Sequence, residues 1–306
     1  MKRFFILASA AIVALASCAK TEVVYKDAPQ EIAFKQVTNV MTKATTETLT
    51  TDIDMGVFAW TSEAPSQNYF GSAKKFAADG TIWKANPAQY YPLQTALDFA
   101  CYAPYSGLLE WSYDNGTQTL VSPAIDDVKA IDVLYGERIY ADCGTTSAAV
   151  PVLFKHALAK VTVKVQSNVP GTITVNSVTL TDICTGGKVT VDYDSDSWKS
   201  TVWSDKAGAA DYVWTKADSF NLSDTAQEFG PSINFVPGDS QNPVGQTSFE
   251  VSYTMNSVTM TASVDLTGIW EMGKHYTYTL NAKLNEITFD PEVEVMETVT
   301  PEAIAL

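Results

Sequence analysis

Residues 249–264, FEVSYTMNSVTMTASV, alternate apolar and polar side chains on either side of the dipeptide Asn256-Ser257. A two-residue turn at this dipeptide would bring apolar residues opposite each other, in the pairs Phe249 with Val264, Val251 with Ala262, Tyr253 with Met260 and Met255 with Val258. The other face would then carry only glutamate, serine and threonine. Because a slip of one residue would move every side chain to the opposite face, the stretch predicts a β-hairpin with a fixed register.

The same period-two alternation recurs along the chain from about residue 31. Further strands are predicted at 32–34, 55–60, 97–102, 150–154, 159–166, 173–180, 189–193, 233–236 and 276–284. Only residues 124–134 suggest a helical turn. Many short strands without intervening helices are typical of antiparallel β-sandwiches. Since about 275 residues are too many for one ordinary sandwich, the sequence predicts an all-β protein of two tandem antiparallel β-sandwich domains, 31–155 and 156–306.

Composition excludes several classes of function. The chain has 306 residues, of which 46% are hydrophobic and 18% charged, so it can bury a substantial core and is not a disordered protein. Its formal net charge of −15 opposes binding to nucleic acids. It contains only two histidines, His156 and His275, which excludes a multi-histidine metal site. We therefore expect no nucleic-acid partner, no metal and no other cofactor.

The N-terminus is typical of an exported protein. Two basic residues are followed by an apolar stretch at 4–16, which is too short to span a bilayer permanently. The sequence Leu15-Ala16-Ser17-Cys18 resembles the lipobox of bacterial lipoproteins, in which the cysteine becomes the lipidated first residue. We predict a signal peptide at 1–17, lipidation at Cys18 and a tether at 18–30. The alternative is an ordinary signal peptide with a chance cysteine.

No motif for catalysis emerges from the rest of the chain. The acidic run 192–196 begins like a calcium-binding loop, but Ser197 stands where that loop needs glycine and Trp203 where it needs glutamate. Both histidines lie in strand contexts, where a structural role is favoured over a catalytic one. Cys101, Cys143 and Cys184 form no zinc or redox spacing, and whether two of them form a disulfide stays open. We therefore expect no catalytic residues and no enzymatic activity.

Three tryptophans lie close together in a polar stretch: Trp198, Trp203 and Trp214. Exposed indole rings stack on sugars, so one hypothesis is a monomeric outer-membrane lipoprotein that binds glycans through this platform. The alternative, which we favour, is that the three rings pack over the edge of a sandwich.

Several phrases, in order along the mature chain, resemble the fimbrillin family, the FimA-like and Mfa-like pilus proteins of Bacteroidetes. They are EIAF at 31–34, TKA at 42–44, VFAW at 57–60, LDFA at 97–100, YAP at 102–104, DVLYG at 132–136, FKHALAKV at 154–161 and GKHYTYTL at 273–280. The resemblance implies two transthyretin-like β-sandwich domains, a lipoprotein precursor, and transport to the outer membrane followed by assembly into a pilus. Its implied partners are other pilus subunits, the membrane lipid at Cys18 and a host or bacterial surface ligand for adhesion.

The resemblance also implies how subunits join. A protease removes the N-terminal strand, and a C-terminal strand of the next subunit fills the vacated groove. By position, Ile32 and Phe34 are the buried residues of the removable strand, and cleavage falls between Lys43 and Ala44. The donor strand would lie within 287–306 and use Val293, Val295 and Val299.

Two departures from the family pattern leave the role of this subunit open. Well-known members are cut after arginine, whereas the only arginines here are Arg3 and Arg138. A tryptophan often present in the donor tail is also absent. Shaft, tip and membrane-anchor positions all stay possible, because a tip subunit would need no donor tail and an anchor would keep its lipid.

Overall fold

The protein is represented by a computed structural model, which describes most of the chain from residue 29 to residue 295. The described residues are 29–36, 53–61, 64, 67–80, 82–93, 95–106, 109–114, 116–136, 139–141, 149–167, 173–193, 198–238, 248–266, 269–282 and 287–295. Within these ranges the secondary structure consists of strands, bridges and turns, with no helix. The described part accordingly contains no helix of the length and apolar character needed to cross a bilayer.

Twenty strands make up the described structure. They are β1 (Ala33–Gln36), β2 (Met55–Trp60), β3 (Lys74–Asp79), β4 (Ile82–Lys84), β5 (Leu97–Ala103), β6 (Ser112–Asp114), β7 (Thr119–Val121), β8 (Leu134–Gly136), β9 (Ile139–Ala141), β10 (Val150–Val152), β11 (Phe154–His156), β12 (Ala159–Ser167), β13 (Ile173–Tyr193), β14 (Trp198–Asn221), β15 (Gln227–Glu228), β16 (Ile233–Phe235), β17 (Ser248–Met255), β18 (Val258–Asp265), β19 (Lys274–Ala282) and β20 (Ile287–Val295).

The first half of the chain forms a curled sheet. Its strand order is β10-β1-β4-β3-β2-β5-β8-β11, with β9 paired to β5. The two end strands, β10 and β11, are consecutive in the chain and are separated only by Leu153. The sheet therefore curls until its ends meet, and it encloses a first core that includes Ile32, Phe34, Phe76 and Phe99.

The second half packs two sheets face to face. One contains β18-β17-β13, with β14 on the other side of β13, and the facing sheet has the order β15-β12-β19-β20, with β16 also paired to β12. Side chains from both sheets, such as Val163, Val178, Phe249 and Leu280, form a second core between them. This is the sandwich arrangement that the alternating strands predict.

A long hairpin connects the two halves. The first part of β13 lines the second core, whereas Val189, Val191 and Tyr193 near its end belong to a third core. There they join Phe58 and Trp60, which lie on the outer face of β2. The strands β6 and β7 precede residue 155 yet extend the sheet of β13. The two halves thus share a core and a sheet, and the boundary between 155 and 156 stays a prediction.

The all-β fold and the register of the decisive hairpin are confirmed. Strands β17 and β18 pair Phe249 with Val264, Val251 with Ala262, Tyr253 with Met260 and Met255 with Val258. The turn residues Asn256 and Ser257 have φ angles of 51° and 64°, as a type I′ turn requires.

Two features differ from the sequence predictions. Strands β1 and β10 are parallel, and so are β12 and β19, although wholly antiparallel sandwiches are predicted. The helical turn suggested for residues 124–134 is wrong. That segment holds one tight turn, in which the amide of Ile131 donates to the carbonyl of Val128 at 3.1 Å.

Candidate functional site

The N-terminal strand β1 lies between two other strands rather than at an edge. It pairs in parallel with β10, placing Phe34 opposite Val150, and antiparallel with β4, placing Phe34 opposite Trp83. The chain just before β1 is also held, because the amide of Ile32 donates to the carbonyl of Gln89 at 2.8 Å. The strand is therefore bound by backbone hydrogen bonds on both sides.

Two side chains fix this strand in the first core. Ile32 and Phe34 are fully buried, whereas Glu31 and Lys35 are exposed. The ring of Phe34 meets the rings of Phe76 and Phe99 edge to face, with centroid distances of 4.9 and 5.1 Å. The alternation of the segment EIAFK thus places its apolar residues inside, as the sequence predicts.

Loss of β1 would expose a groove of defined chemistry. The facing edges of β4 and β10 would lose their ladder partner, and two apolar pockets would be emptied. Each emptied pocket would cost about 1.5–3 kcal/mol of hydrophobic stabilisation. A groove with unpaired backbone edges and alternate apolar pockets is suited to binding an extended peptide strand.

The predicted donor segment is partly described. Strand β20 pairs antiparallel with β19 along its whole length, with Val293 opposite Tyr276 and Val295 opposite Lys274. Among the described strands, β19 is its one ladder partner. Val299 lies outside the described residues, so its predicted role stays a prediction.

The predicted processing sites also lie outside the described residues. These are the signal peptide at 1–17, Cys18 with most of the tether, and the residues Lys43 and Ala44. The same holds for Cys143. Of the other cysteines, Cys101 and Cys184 are both buried and no disulfide joins them to each other, and burial raises the pKa of the Cys101 thiol.

The structure argues against a glycan platform made of the three tryptophans. Trp203 and Trp214 are 6% and 2% exposed, and Trp203 lies in the third core while Trp214 lies in the second. Their indole nitrogens donate to the carbonyls of Ala157 and Pro231, at 2.6 and 2.9 Å. Both rings therefore serve the interior. Trp198 begins β14.

Both histidines have polar partners in the structure. Nδ1 of His156 lies 2.9 Å from a carboxylate oxygen of Asp132, and the His156 side chain is 7% exposed. Nε2 of His275 lies 2.7 Å from the hydroxyl of Thr162. These contacts fit the structural role that the sequence favours. Among the described residues, no group of three or more acidic, histidine or cysteine side chains is arranged to hold a metal ion.

The sequence does not predict which segments pair with β1 through the backbone. Strand β4 and the segment around Tyr90 flank the N-terminal strand, and Tyr90 forms an isolated bridge with Glu31. The amide of Tyr91 also donates to the carbonyl of Gln30 at 3.0 Å. The sequence feature at this contact is Tyr90-Tyr91-Pro92, but these residues do not show which strand they contact.

Comparison with known proteins identifies the family. The family model described as fimbrillin-like matches residues 42–295. The chain belongs to the fimbrillin-like family. This is a family of fimbrial structural proteins and not of enzymes. No curated protein sequence matches the chain.

Solved structures share the fold at low sequence identity. A fimbrial protein from Bacteroides vulgatus has 17% identity and a TM-score of 0.62, covering 87% of this chain and 99% of its own. Two proteins ascribed to cell adhesion are also similar. The one from Bacteroides uniformis has 14% identity, a TM-score of 0.58 and coverage of 88% and 100%. The one from Bacteroides ovatus has 17% identity, a TM-score of 0.54 and coverage of 89% and 98%.

Proposed function

We propose that this fimbrillin-like chain is a structural subunit of a cell-surface pilus or fimbria, that it contributes to adhesion, and that it joins other subunits by β-strand exchange. Family membership and the fold shared with a fimbrial protein support the subunit role. The exchange rests on one observation. Strand β1 is the N-terminal strand, yet it sits between β4 and β10 and gives two fully buried side chains to the core.

The vacated groove would select its occupant by pattern. An incoming strand must present apolar side chains two residues apart, as Ile32 and Phe34 are, and must offer backbone groups to both β4 and β10. Val293 and Val295 have this spacing. Their strand β20 would first have to leave β19, so the exchange trades one ladder within the chain for two ladders with a neighbour.

Export and processing would control when the groove opens. In the proposed sequence of events the signal peptide at 1–17 is removed, Cys18 is lipidated and carries the chain to the outer membrane, and cleavage after Lys43 then releases β1. A chain that is never cut would keep both its lipid and β1. Such a chain would serve as an anchor rather than as a shaft subunit.

The first test is the intact mass and N-terminal sequence of the protein recovered from its native cell surface. A start at Ala44 without lipid is the expected result for a shaft or tip subunit. A lipidated start at Cys18 would contradict the cleavage step and leave two functions, an anchor subunit or an independent surface lipoprotein.

The second test is assembly in the native cell, followed by electrophoresis of surface material in SDS without heating. We expect a ladder of polymers from the unaltered chain and its loss in the Lys43→Ala variant. Lys26→Ala is the matched control, because cleavage there would leave β1 attached to the rest of the chain. A ladder that persists in Lys43→Ala would refute cleavage at this position.

A further inference from the structure

Strand β18 forms one edge of the second-half sandwich. It pairs with β17 through eight consecutive residue pairs, without a register shift. Among the described strands, β17 is its one ladder partner. Strand β20 of the facing sheet approaches it but forms no ladder with it. The outer edge of β18 thus presents backbone groups in a regular row.

This edge lacks the devices that usually keep sheet edges from pairing. Edge strands are commonly protected by proline, by charged side chains or by bulges. Strand β20 contains Pro291 among three acidic residues, and β14 has several register shifts against β13. Strand β18 contains no proline and no charged residue from Val258 to Val264, in a chain of net charge −15.

The turn determines which backbone groups point outward. A two-residue hairpin turn is closed by a hydrogen-bonded pair, here Met255 with Val258. Direction alternates along the strand, so the backbone groups of Thr259, Thr261 and Ser263 point away from β17. The side chains of these three residues are all exposed.

The sequence of β18 is symmetric about Thr261. In an antiparallel pairing of two copies centred on this residue, Val258 lies opposite Val264, Thr259 opposite Ser263, and Met260 opposite Ala262. Apolar residues meet apolar residues and hydroxyls meet hydroxyls. The outward-pointing backbone groups of the two copies also lie opposite each other. Thr261 pairs with Thr261 of the second copy, and Thr259 pairs with Ser263 of the second copy, as hydrogen-bonded pairs.

We propose that β18 pairs with β18 of a second copy of this chain across a two-fold axis, forming one continuous sheet. A two-fold contact needs a self-complementary surface, which the symmetric strand provides. Two acidic chains repel each other, so a charge-free edge is the surface where they can approach. The pairing would also cover Val258, whose side chain is 59% exposed. The contact lies away from β1 and does not depend on strand exchange.

The test uses the mature chain with β1 in place. Sedimentation measures the monomer–dimer equilibrium, and hydrogen exchange follows the amides of Thr259, Thr261 and Ser263. We expect dimers to form as concentration rises, with these three amides exchanging freely in the monomer and becoming protected in the dimer. A chain that stays monomeric would overturn the proposal. So would amides already protected in the monomer, because another part of the chain would then cover the edge.

Substitutions at the centre identify the edge. Thr261→Pro removes an outward donor without touching the ladder to β17, and we expect dimerisation to weaken about tenfold or more. Thr261→Ala keeps the backbone donor and is the matched control, expected to dimerise like the unaltered chain. Equal dimerisation of the proline variant would overturn the proposal.

A pair of double variants keeps the test decisive if proline disturbs the fold. Thr259→Lys with Ser263→Lys places like charges opposite each other across the axis, whereas Thr259→Glu with Ser263→Lys places opposite charges there. We expect the first to lose the dimer and the second to keep it. A dimer that persists unchanged in both would show that β18 is not the contact.

Discussion

Replacing Phe34 by alanine should destabilise the intact chain by about 3–5 kcal/mol. The ring is fully buried, so its transfer to water accounts for about 1.5–3 kcal/mol. Its edge-to-face contacts with Phe76 and Phe99 add about 0.5–1.5 kcal/mol each. Domains are usually stable by about 5–15 kcal/mol, so this one side chain should carry a large share of the total.

Urea unfolding followed by circular dichroism measures this loss. Lys35→Ala is the matched control, because Lys35 is the next residue of the same strand and its side chain is exposed. It should change the free energy of unfolding by no more than about 0.5 kcal/mol. A loss below about 1 kcal/mol for Phe34→Ala, or an equal loss for Lys35→Ala, would refute the view that Phe34 fills a tight pocket.

A peptide-binding assay tests the same pocket in a chain that lacks β1. A chain that begins at Ala44 should bind a peptide of residues 29–36, and its Phe34→Ala version should bind about 10²–10³-fold more weakly. Isothermal titration calorimetry measures both affinities. Equal affinities would show that the pocket closes when β1 is absent, in which case no donor strand could use it.

Three further predictions concern the third core, where the two halves meet. Gly56→Ala should destabilise the chain by about 1–3 kcal/mol in thermal melts, because the added Cβ would lie 2.2 Å from the Tyr102 ring. Gly116→Ala is the control and should leave the melting temperature unchanged, because its Cβ would meet only a side-chain atom, at 3.2 Å. Trp203→Phe should lower the free energy of unfolding in urea by about 1–3 kcal/mol, because it removes the indole N–H that donates to the buried Ala157 carbonyl. An unchanged unfolding midpoint would contradict this prediction. Burial raises the pKa of Tyr193 well above its ordinary value of 10.0. As the pH rises, Tyr193 therefore loses its proton in the unfolded chain before it does so in the folded chain. The free energy of unfolding should be steady below about pH 9 and fall above about pH 10. In Tyr193→Phe it should fall less steeply.

Most of the fold that the sequence predicts follows from patterns within short stretches of adjacent residues. The register of β17 and β18 follows from a two-residue turn and from alternation, both of which are contained in sixteen adjacent residues. The direction of pairing is different, because an alternating strand looks the same whether its partner runs parallel or antiparallel. The sequence therefore does not show that β12 and β19 pair in parallel.

The third core escaped prediction for a related reason. Strand β2 is buried on both faces, and its continuous apolar run MGVFAW is the signal for that burial. The partner that covers its outer face is the far end of β13, more than a hundred residues away in sequence. Nothing local to either segment tells which two surfaces meet.

The candidate site shows the same division. The sequence places Ile32 and Phe34 in a strand with their side chains inside, and the structure agrees. It does not show that β4 and β10 would be the two edges of the groove, since strand neighbours are set by the curling of the whole sheet. Lys43 and Ala44 are predicted through the family resemblance alone, whereas Cys18 is predicted from the lipobox at the N-terminus.

The β13–β14 hairpin has a mechanical consequence. At about 3.3 Å per residue, the 21 residues of β13 could reach about 70 Å, and they form one strand, with several register shifts against β14, from the second core into the third. A pull on the two halves would load many ladder bonds along this hairpin together instead of opening a flexible linker. In a fibre of such subunits, bending under flow would concentrate at the joints between subunits, and each subunit would transmit tension as a stiff rod.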